Sequence, residues 1–501
     1  MIRFNNLILF NGTGFTEPKS VVIENDIFKW IGDVNELPQQ YCGSAISIEA
    51  NGLLAIPSFV DSHIHFLGLA AKLQGNNLAL SDNAGLTEFT AQLKEISKLD
   101  PQSEWLRIYD LDPFHPVLEK LISKDIIDSC ISNRPVIIRF SSGHGVLLNS
   151  VAMKQLKITD STDEIKGSTF GRSIETGKLT GVFYEIETLL NDYVPLISRE
   201  TIIEGVKDAN NLLLSKGFTS IMDATAENDL SRLNLFADFI DKGIIDLDVS
   251  FMLGYEYLEE FINIGIKYGT DFRGVTIGHV KLMTSLSSGK IYPDDLDYRI
   301  NRCHSLGFPV AIHAVEKDIV SLVAEILADN YMEGDRVEHV TELDDMALDV
   351  LSKHKIGVSV NPSFIYEHGD RYIRVLESNV LKLIYRFKSM LEKDLIIGFA
   401  SDAPVAMPSG LKFINAATKR RTKYNKEIGC SEKLTIDQAI NMATFNNYQL
   451  NDVSYSTGKI SQGNSADMIL VKFEDLLGDK DYICDEVALT MQRGQIIHSN
   501  L

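Results

Sequence analysis

The chain has 501 residues, of which 45% are hydrophobic and 23% are charged, and its formal net charge is −21. This is the composition of a globular protein with a large core, and it excludes a disordered chain. Because so acidic a surface repels nucleic-acid backbones and anionic lipid, we expect neither nucleic-acid binding nor membrane binding.

The N-terminal residues and the cysteines bear on where the protein resides. Met1–Phe10 lacks the uninterrupted apolar core of a signal peptide. No stretch of the sequence approaches the ~20 apolar residues that span a bilayer. The five cysteines are scattered and form no CxxC pair, which disfavours both a disulfide framework and a thiolate zinc site. The sequence therefore predicts a cytoplasmic protein.

Short apolar runs separated by turn sequences occupy both ends of the chain. Such runs, ending at Asn-Gly, Asn-Asp and Gly-Asp, are typical of hairpins and small β domains. We therefore predict that residues 1–57 and 453–501 form one composite β domain. The predicted strands of this domain are Ile2–Phe10, Ser20–Glu24, Ile27–Ile31, Gly458–Ile460, Asp467–Phe473 and Val487–Arg493.

Between these ends, eight apolar runs alternate with helical stretches. Most are spaced by roughly 25–30 residues, which favours a (β/α)8 TIM barrel over residues 58–452 and leaves an open doubly wound sheet as the alternative. The first two runs are separated by about 150 residues, too many for one crossover. We therefore predict an inserted subdomain at about 69–214, with Pro135–Phe140 as one of its strands. The eight runs are Leu54–His65, Phe218–Asp223, Leu247–Leu253, Val275–Met283, Pro309–Ala314, Val337–Thr341, Ile356–Val360 and Ile396–Ser401.

Two features near the end of the barrel region have local interpretations. Thr435-Ile436-Asp437-Gln438 fits a capping box and predicts a helix start. Lys419-Arg420-Arg421 is a short basic run, which we interpret as a solvated surface patch.

The residues that suggest chemistry lie at or near the carboxyl ends of the predicted strands, where barrel enzymes place their active sites. His63 and His65 close the first run, and residues two apart in a strand point to the same side, so both imidazoles can reach one ion. Imidazole and carboxylate ligands suit zinc, iron or manganese, which predicts a divalent metal site. Its candidate members are His63, His65, Lys281, His313, His339 and Asp402. We interpret the other histidines as structural or surface residues, namely His115, His279, His304, His354, His368 and His498.

The segments around these residues carry a resemblance to a known family. Ile56–His65 resembles the signature of the amidohydrolase superfamily, and the downstream segments are similar to amidohydrolase family 3, the YtcJ-like branch. The resemblance is ordered along nearly the whole chain. The similar segments include Gly143-His144-Gly145, Thr180-Gly181-Val182, Val280-Lys281-Leu282, Ala311–Val315, Arg336-Val337-Glu338-His339 and Gly398–Asp402.

The resemblance implies a (β/α)8 barrel flanked by a small β-sandwich made from both termini. It also implies hydrolysis of a non-peptide C–N bond in a small-molecule substrate, with one or two divalent ions, zinc before iron or manganese. Lys281 falls where such enzymes carry a carboxylated lysine, and the alternative is an ordinary salt-bridged lysine. His144 is a candidate substrate contact or simply a loop histidine, and Glu185 is a weaker candidate. A homodimer is expected only from the family.

Three functions are compatible with the sequence. In the first, Asp402 takes the proton of an attacking water and passes it to the leaving nitrogen of an amide, a cyclic amide or an N-acyl group, while His339 helps to polarise the carbon. In the second, Glu316 acts as the proton shuttle of a mononuclear deaminase, since His313-x-x-Glu316 resembles that group of enzymes. Glu316 has an alternative role as a helix N-terminal glutamate. The third is a catalytically inactive binding protein on the same barrel.

Overall fold

The computed structural model describes residues 1–43, 46–81, 83–115, 121–143, 145–165, 167–195, 197–284, 293–451, 458–476 and 485–501. The chain divides into two compact units. The larger unit comprises Met1–His65, Ala209–Thr284 and Tyr292–Leu501, and the smaller unit is formed mainly by Phe66–Asp208. Because the larger unit holds the terminal strands and the barrel together, the boundaries at 57 and 453 stay predictions, as does the inserted subdomain at about 69–214.

Strands and helices follow one another along the chain in four stretches. The first stretch comprises β1 (Ile2–Leu9), β2 (Lys19–Glu24), β3 (Ile27–Gly32), β4 (Ile46–Glu49), β5 (Leu54–Pro57) and β6 (Phe59–Ile64). The second comprises α1 (Phe66–Leu73), β7 (Asn76–Asn77), α2 (Leu86–Leu99), β8 (Leu106–Leu111), α3 (Lys124–Cys130), β9 (Val136–Phe140), β10 (Gly145–Leu148), α4 (Ser150–Gln155), β11 (Thr169–Arg172), β12 (Leu179–Tyr184), α5 (Glu187–Tyr193) and α6 (Arg199–Ser215).

The third stretch comprises β13 (Phe218–Asp223), α7 (Leu230–Asp241), β14 (Asp248–Gly254), α8 (Leu258–Asn263), β15 (Asp271–Phe272), β16 (Val275–Leu282), α9 (Pro293–Ser305), β17 (Val310–Ala314), α10 (Lys317–Asp329), β18 (Arg336–His339), α11 (Asp345–His354), β19 (Gly357–Val360), α12 (Ser363–Val375), α13 (Ser378–Leu381), α14 (Phe387–Glu392) and β20 (Ile397–Phe399). The fourth comprises α15 (Gly410–Lys419), α16 (Ile436–Ala443), α17 (Phe445–Leu450), β21 (Met468–Val471), α18 (Phe473–Leu476), β22 (Leu489–Gln492) and β23 (Gln495–Ser499). None of the described helices combines the length and apolar character needed to cross a bilayer.

Strands from both ends of the chain form one sheet. Its order is β23-β22-β21-β5-β1-β2-β3, with β4 paired to β1. The sheet has its own core, in which Phe4 and Val21 from the N-terminal strands pack with Met468 and Leu489 from the C-terminal strands. The predicted strand at Gly458–Ile460 is wrong, because these residues form a bend. The final strand β23 was not predicted.

The predicted strand Leu54–His65 is two strands that belong to two sheets. β5 pairs with β1 and β21 in the terminal sheet, whereas β6 pairs with β13 in the barrel. The chain passes from one sheet to the other at Ser58, directly after Pro57, which has no backbone N–H to donate. Both strands are buried throughout, so the apolar run shows no change of pattern at the break.

Eight parallel strands in the described part of the chain form a nearly closed TIM barrel, which confirms the predicted fold class. Their hydrogen-bonded order is β6-β13-β14-β16-β17-β18-β19-β20, and each of the eight predicted runs overlaps one of them. The seam between β20 and β6 is bridged by Asn447 of α17. Its Nδ2 donates to the carbonyl of Val60 at 2.5 Å and to that of Phe399 at 2.8 Å. One buried amide thus joins the first and last barrel strands.

The smaller unit has a separate sheet and a separate core. The sheet order is β11-β12-β10-β9-β8-β7, and the predicted strand Pro135–Phe140 corresponds to β9. Buried residues such as Phe89, Leu106 and Ile138 pack together in this unit.

The two local predictions near the end of the barrel had opposite outcomes. The capping box at Thr435 and Gln438 is confirmed, since both of its hydrogen bonds are present at the start of α16. The surface patch is wrong for Arg420, whose side chain is fully buried. Its guanidinium donates to the carbonyls of Ile384, Tyr385 and Ile428, so neutral oxygen acceptors, rather than water, satisfy the charge.

Candidate metal centre

The imidazoles of His63 and His65 approach the same carboxylate oxygen of Asp402. Nε2 of His65 lies 3.2 Å from Asp402 Oδ1, and Nε2 of His63 lies 3.6 Å from it. His63 lies in β6, whereas His65 follows the strand and is fixed by its amide, which donates to the Ala403 carbonyl at 2.8 Å. The structure therefore brings this predicted pair together at one point.

Asp402 is placed by a turn that follows β20. Its φ of 58° is in the left-handed region, which aspartate tolerates better than most residues. In this conformation its amide donates to the His63 carbonyl at 2.9 Å. Asp402 is 9% exposed, so its carboxylate is largely removed from water.

His339 faces the same point from the opposite side of the barrel. It is the last residue of β18, and the backbone there is left-handed, with φ of 73° at His339 and 41° at the β-branched Val340. Such backbone conformations are costly and persist where the surroundings enforce them, often at functional sites. The ring centroid of His339 lies 4.8 Å from that of His63 and 4.5 Å from that of His313. Ligand atoms of His63, His339 and Asp402 all lie within 4.8 Å of one another.

Lys281 reaches the same cluster from β16. Its Nζ lies 3.3 Å from Nε2 of His63. Burial lowers the pKa of Lys281 to about 8, although the charges of Glu338 and Asp402 act in the opposite direction. The amine is therefore easier to deprotonate than an exposed lysine. The structure thus brings together all six candidates for the metal site.

The protonation states of these groups fit a metal ion. Burial and the nearby charge of Lys281 lower the pKa of His63 to about 3, and burial also lowers the pKa of His339. Burial alone would raise the pKa of Asp402, but the hydrogen bond from His65 and electrostatic attraction to the surrounding imidazoles hold it well below its usual range. Neutral imidazoles and an ionised carboxylate are the forms that bind metal. The cluster could therefore bind a divalent ion through nitrogen and oxygen ligands.

Two buried residues that support this cluster were not predicted from the sequence. Glu338 is hydrogen-bonded to Nδ1 of His63, and Arg336 forms an ion pair with Glu338. The spacing of these residues was a usable signal. A charged pair two apart in a buried barrel strand points to one side and needs internal partners.

Asp61 was also missed, although it lies in the signature segment. Its Oδ1 accepts hydrogen bonds from the amides of Ser401 at 3.0 Å and His63 at 3.2 Å. Burial raises its pKa to about 7. Asp61 therefore links β6 to the segment that follows β20, at the residue directly before Asp402.

The remaining predicted site residues lie in other places. Glu316 precedes α10 and lines a cavity of about 540 Å³ with Lys317, Glu342 and Asp344, and the described residues of that lining include no candidate metal ligand. Glu185 follows β12 in the smaller unit. His144 lies outside the described residues. The roles of these three residues stay predictions.

Comparison with known proteins agrees with this geometry. The model of the amidohydrolase family, Amidohydro_3, matches residues 47–498. The putative amidohydrolase YtcJ of Bacillus subtilis is 22% identical over 96% of each chain, and an N-substituted formamide deformylase of Arthrobacter pascens is 20% identical over 90% of each. An uncharacterized metal-dependent hydrolase from Pyrococcus horikoshii has the same fold, with a TM-score of 0.72, 20% identity and 99% of each chain covered. The resemblance found in the sequence is thus confirmed, and the chain belongs to the amidohydrolase family of metal-dependent hydrolases.

Proposed function

We propose that this protein hydrolyses a non-peptide C–N bond of a small molecule, namely an amide, a cyclic amide or an N-acyl group. The observation that carries the proposal is the convergence of His63, His65 and His339 on the Asp402 carboxylate. A divalent ion bound there would polarise the scissile carbonyl and lower the pKa of water toward neutrality. Zinc suits this donor set best, with iron or manganese as alternatives.

Asp402 is the residue we assign to proton transfer. Its carboxylate is ionised at neutral pH, so it can accept a proton from the attacking water. Oδ1 of Asp402 lies 3.2 Å from Nε2 of His65, and this contact keeps the carboxylate oriented toward the cluster. Transfer of that proton to the leaving nitrogen completes C–N cleavage, since the amine leaves in its neutral form.

His339 is the residue we assign to metal binding and to polarisation of the substrate. Its Nδ1 lies 2.7 Å from Oδ1 of Asn361, whose Nδ2 donates to the Ala400 carbonyl at 3.3 Å. Because the amide oxygen of Asn361 is an acceptor, Nδ1 of His339 carries the proton. The lone pair of Nε2 is then available on the side of the cluster.

Lys281 is the residue we propose to be carboxylated. Its unprotonated amine can add to carbon dioxide, so that an N–C bond forms as one C=O π bond opens and a proton is released. The carbamate so formed shares one negative charge between two oxygens. The lowered pKa of Lys281 supports this step, because only the neutral amine is nucleophilic. A carbamate at this position would complete a site for two ions, and an unmodified lysine would favour one.

The substrate class has support from one relative. The Arthrobacter pascens protein is an N-substituted formamide deformylase by name. Removal of a formyl group from nitrogen is cleavage of an N-acyl C–N bond, which is one of the three bond types we propose.

The test is metal-dependent turnover on a panel of N-formyl amines, N-acetyl amines, cyclic amides and amino-substituted heterocycles. We expect turnover within the first three classes, seen as amine release from the N-formyl and N-acetyl amines and as ring opening of the cyclic amides. Activity should be lost after chelation and should recover after zinc, iron or manganese is added. His339→Ala should lose both metal and activity, whereas the matched control His354→Ala, on α11, should keep both. Ammonia release from heterocycles alone would instead favour the deaminase. A protein that binds metal without any turnover would favour a binding function.

A further inference from the structure

A buried carboxylate lies behind His63, on the side away from Asp402. Glu338 is fully buried in β18, and its Oε2 is hydrogen-bonded to Nδ1 of His63. The other ring nitrogen, Nε2, is the one that approaches Asp402 and Lys281. The two nitrogens of one imidazole therefore have separate partners.

Arg336 forms an ion pair with the Glu338 carboxylate. Its Nε lies 2.5 Å from Oε1 of Glu338, and its Nη2 lies 3.0 Å from Oε2. The guanidinium is also fixed by donation to the Ser62 carbonyl at 2.6 Å and to Oδ1 of Asn451 at 3.1 Å. Because these four hydrogen bonds fix the planar guanidinium, the Glu338 carboxylate that pairs with it is held in one orientation.

The protonation of the imidazole follows from these contacts. A carboxylate paired with arginine is ionised and can only accept hydrogen bonds. Nδ1 of His63 must therefore carry the proton that is donated to Glu338. In the neutral ring this leaves the lone pair on Nε2, directed at the cluster.

We propose that Glu338, held by Arg336, is a positioning residue that fixes the Nδ1–H tautomer and the ring orientation of His63. This inference rests on the proposed function, because orienting His63 serves to present its Nε2 to a metal ion. Buried ion pairs contribute little net stability, so a role in orienting His63 accounts for this one better than a role in folding.

The three histidines around Asp402 differ in the group that their Nδ1 atoms contact. Nδ1 of His339 meets the neutral amide of Asn361, and Nδ1 of His65 lies 3.1 Å from the hydroxyl of Thr225. Of these three described rings, that of His63 is the one with an ionised group at Nδ1. Because a carboxylate partner raises the basicity of a ligating imidazole, loss of Glu338 should weaken metal binding more than loss of Thr225.

The first measurement is the ¹⁵N spectrum of histidine-labelled, metal-free protein, with His63 assigned by His63→Gln. We expect the Nδ1–H tautomer in the natural protein and a mixture of tautomers in Arg336→Met/Glu338→Leu, which removes the ion pair as a unit. Glu338→Gln keeps an acceptor and should retain more of the Nδ1–H form. An Nε2–H tautomer in the natural protein would overturn the inference.

The second measurement is zinc affinity, obtained by competition with a chelator on the folded fraction. The double variant should bind zinc about 10–100-fold more weakly than the natural protein. The matched control is Asp335→Asn, a buried carboxylate that accepts from His304 at 3.0 Å outside the cluster, and it should lose stability without losing zinc affinity. Unchanged affinity in the double variant would overturn the inference. A natural protein with the Nδ1–H tautomer that binds no zinc, iron or manganese would overturn the proposed function alone.

Discussion

Asp402 contacts His63 through both its backbone and its side chain. Its amide donates to the His63 carbonyl at 2.9 Å, and its Oδ1 lies 3.6 Å from Nε2 of the same residue. His63 lies in β6, the first barrel strand, and Asp402 follows β20, the last. The candidate metal centre therefore forms only when the two ends of the barrel meet.

Replacement of Asp402 by asparagine tests its assignment to proton transfer. The Asp402→Asn variant would keep the backbone bond and the shape of the side chain, but its amide could not accept a proton at neutral pH. We expect kcat to fall by about 10²–10⁴-fold with little change in metal content. The measurements are steady-state kinetics and metal analysis of the same preparation.

A carboxylate outside the cluster provides the control for that change. Asp344 caps α11 by accepting from the amide of Ala347 at 2.8 Å. Asp344→Asn should retain the kcat of the natural protein. Full turnover in Asp402→Asn would show that another group moves the proton.

The seam of the barrel gives a prediction about stability. Asn447→Ala removes the side-chain amide that donates to the Val60 and Phe399 carbonyls, so both buried oxygens lose this hydrogen bond. We expect the free energy of unfolding to fall by about 2–3 kcal/mol, because a buried acceptor left unsatisfied costs about 1–3 kcal/mol. The Phe399 carbonyl keeps a second donor, the hydroxyl of Ser62 at 3.1 Å, so the main loss falls on the Val60 carbonyl. Metal affinity should also fall, since His63 and Asp402 lie on opposite sides of this seam. Urea unfolding and chelator competition measure the two effects.

The neighbouring residue is a matched control. Asn446 Nδ2 donates to one carbonyl, that of Ile397, at 3.0 Å, and the bond is partly buried. Asn446→Ala should cost about 1 kcal/mol and leave metal affinity unchanged. Equal losses in the two variants would contradict the role assigned to the seam.

The sequence was sufficient to predict the barrel and the residues that converge in it, because both depend on local patterns. Apolar runs at regular spacing identify the strands, and polar residues at strand ends identify the rim that barrel enzymes use. His313 and Asp402 were found in this way, although many residues separate them in the chain. Their convergence needs only the rule that parallel strands have their carboxyl ends on one side.

Other features depend on partners that no local pattern reveals. The break at Ser58 was missed because both flanking strands are buried and read as one apolar run. Arg420 was wrongly predicted to lie on the surface. Its partners are backbone carbonyls, which every residue has, so no residue type in the sequence indicates that they are there. Glu338 was missed because its importance lies in contact with His63, which is visible only once β18 and β6 face each other across the barrel.

The proposed modification of Lys281 can be observed directly. Metal-loaded protein prepared with ¹³C-bicarbonate should show one carbamate carbon signal that Lys281→Met lacks, because burial leaves the amine with a pKa of about 8 and so available to carbon dioxide. The same variant should bind fewer ions per chain, since it lacks the two carbamate oxygens. Lys317→Met, outside the cluster, is the control and should keep both the signal and the metal. A natural protein that takes up no label and binds one ion would contradict the carbamate.

Acid sensitivity is expected from histidines that the folded chain holds in the neutral form. Burial, with the charge of Arg371, lowers the pKa of His368 to about 3, and its ring packs against that of Phe364 at a centroid distance of 4.8 Å. Between pH 3 and 6.5 the unfolded chain therefore binds a proton at this residue that the folded chain does not bind. Because stability rises with pH wherever the unfolded state binds more protons, this contribution is lost as the pH falls below 6.5.

His368→Gln removes that titration and should flatten the acid side of the stability profile. We expect the slope of the unfolding free energy between about pH 4 and 6 to fall by about 1.4 kcal/mol per pH unit, the value for one proton. His279→Gln is a second test of the same sign, since burial also lowers the pKa of His279 to about 3. Urea unfolding of metal-free protein at several pH values measures both slopes. If both variants keep the slope of the natural protein, these histidines are protonated in the folded chain and their burial does not hold them neutral.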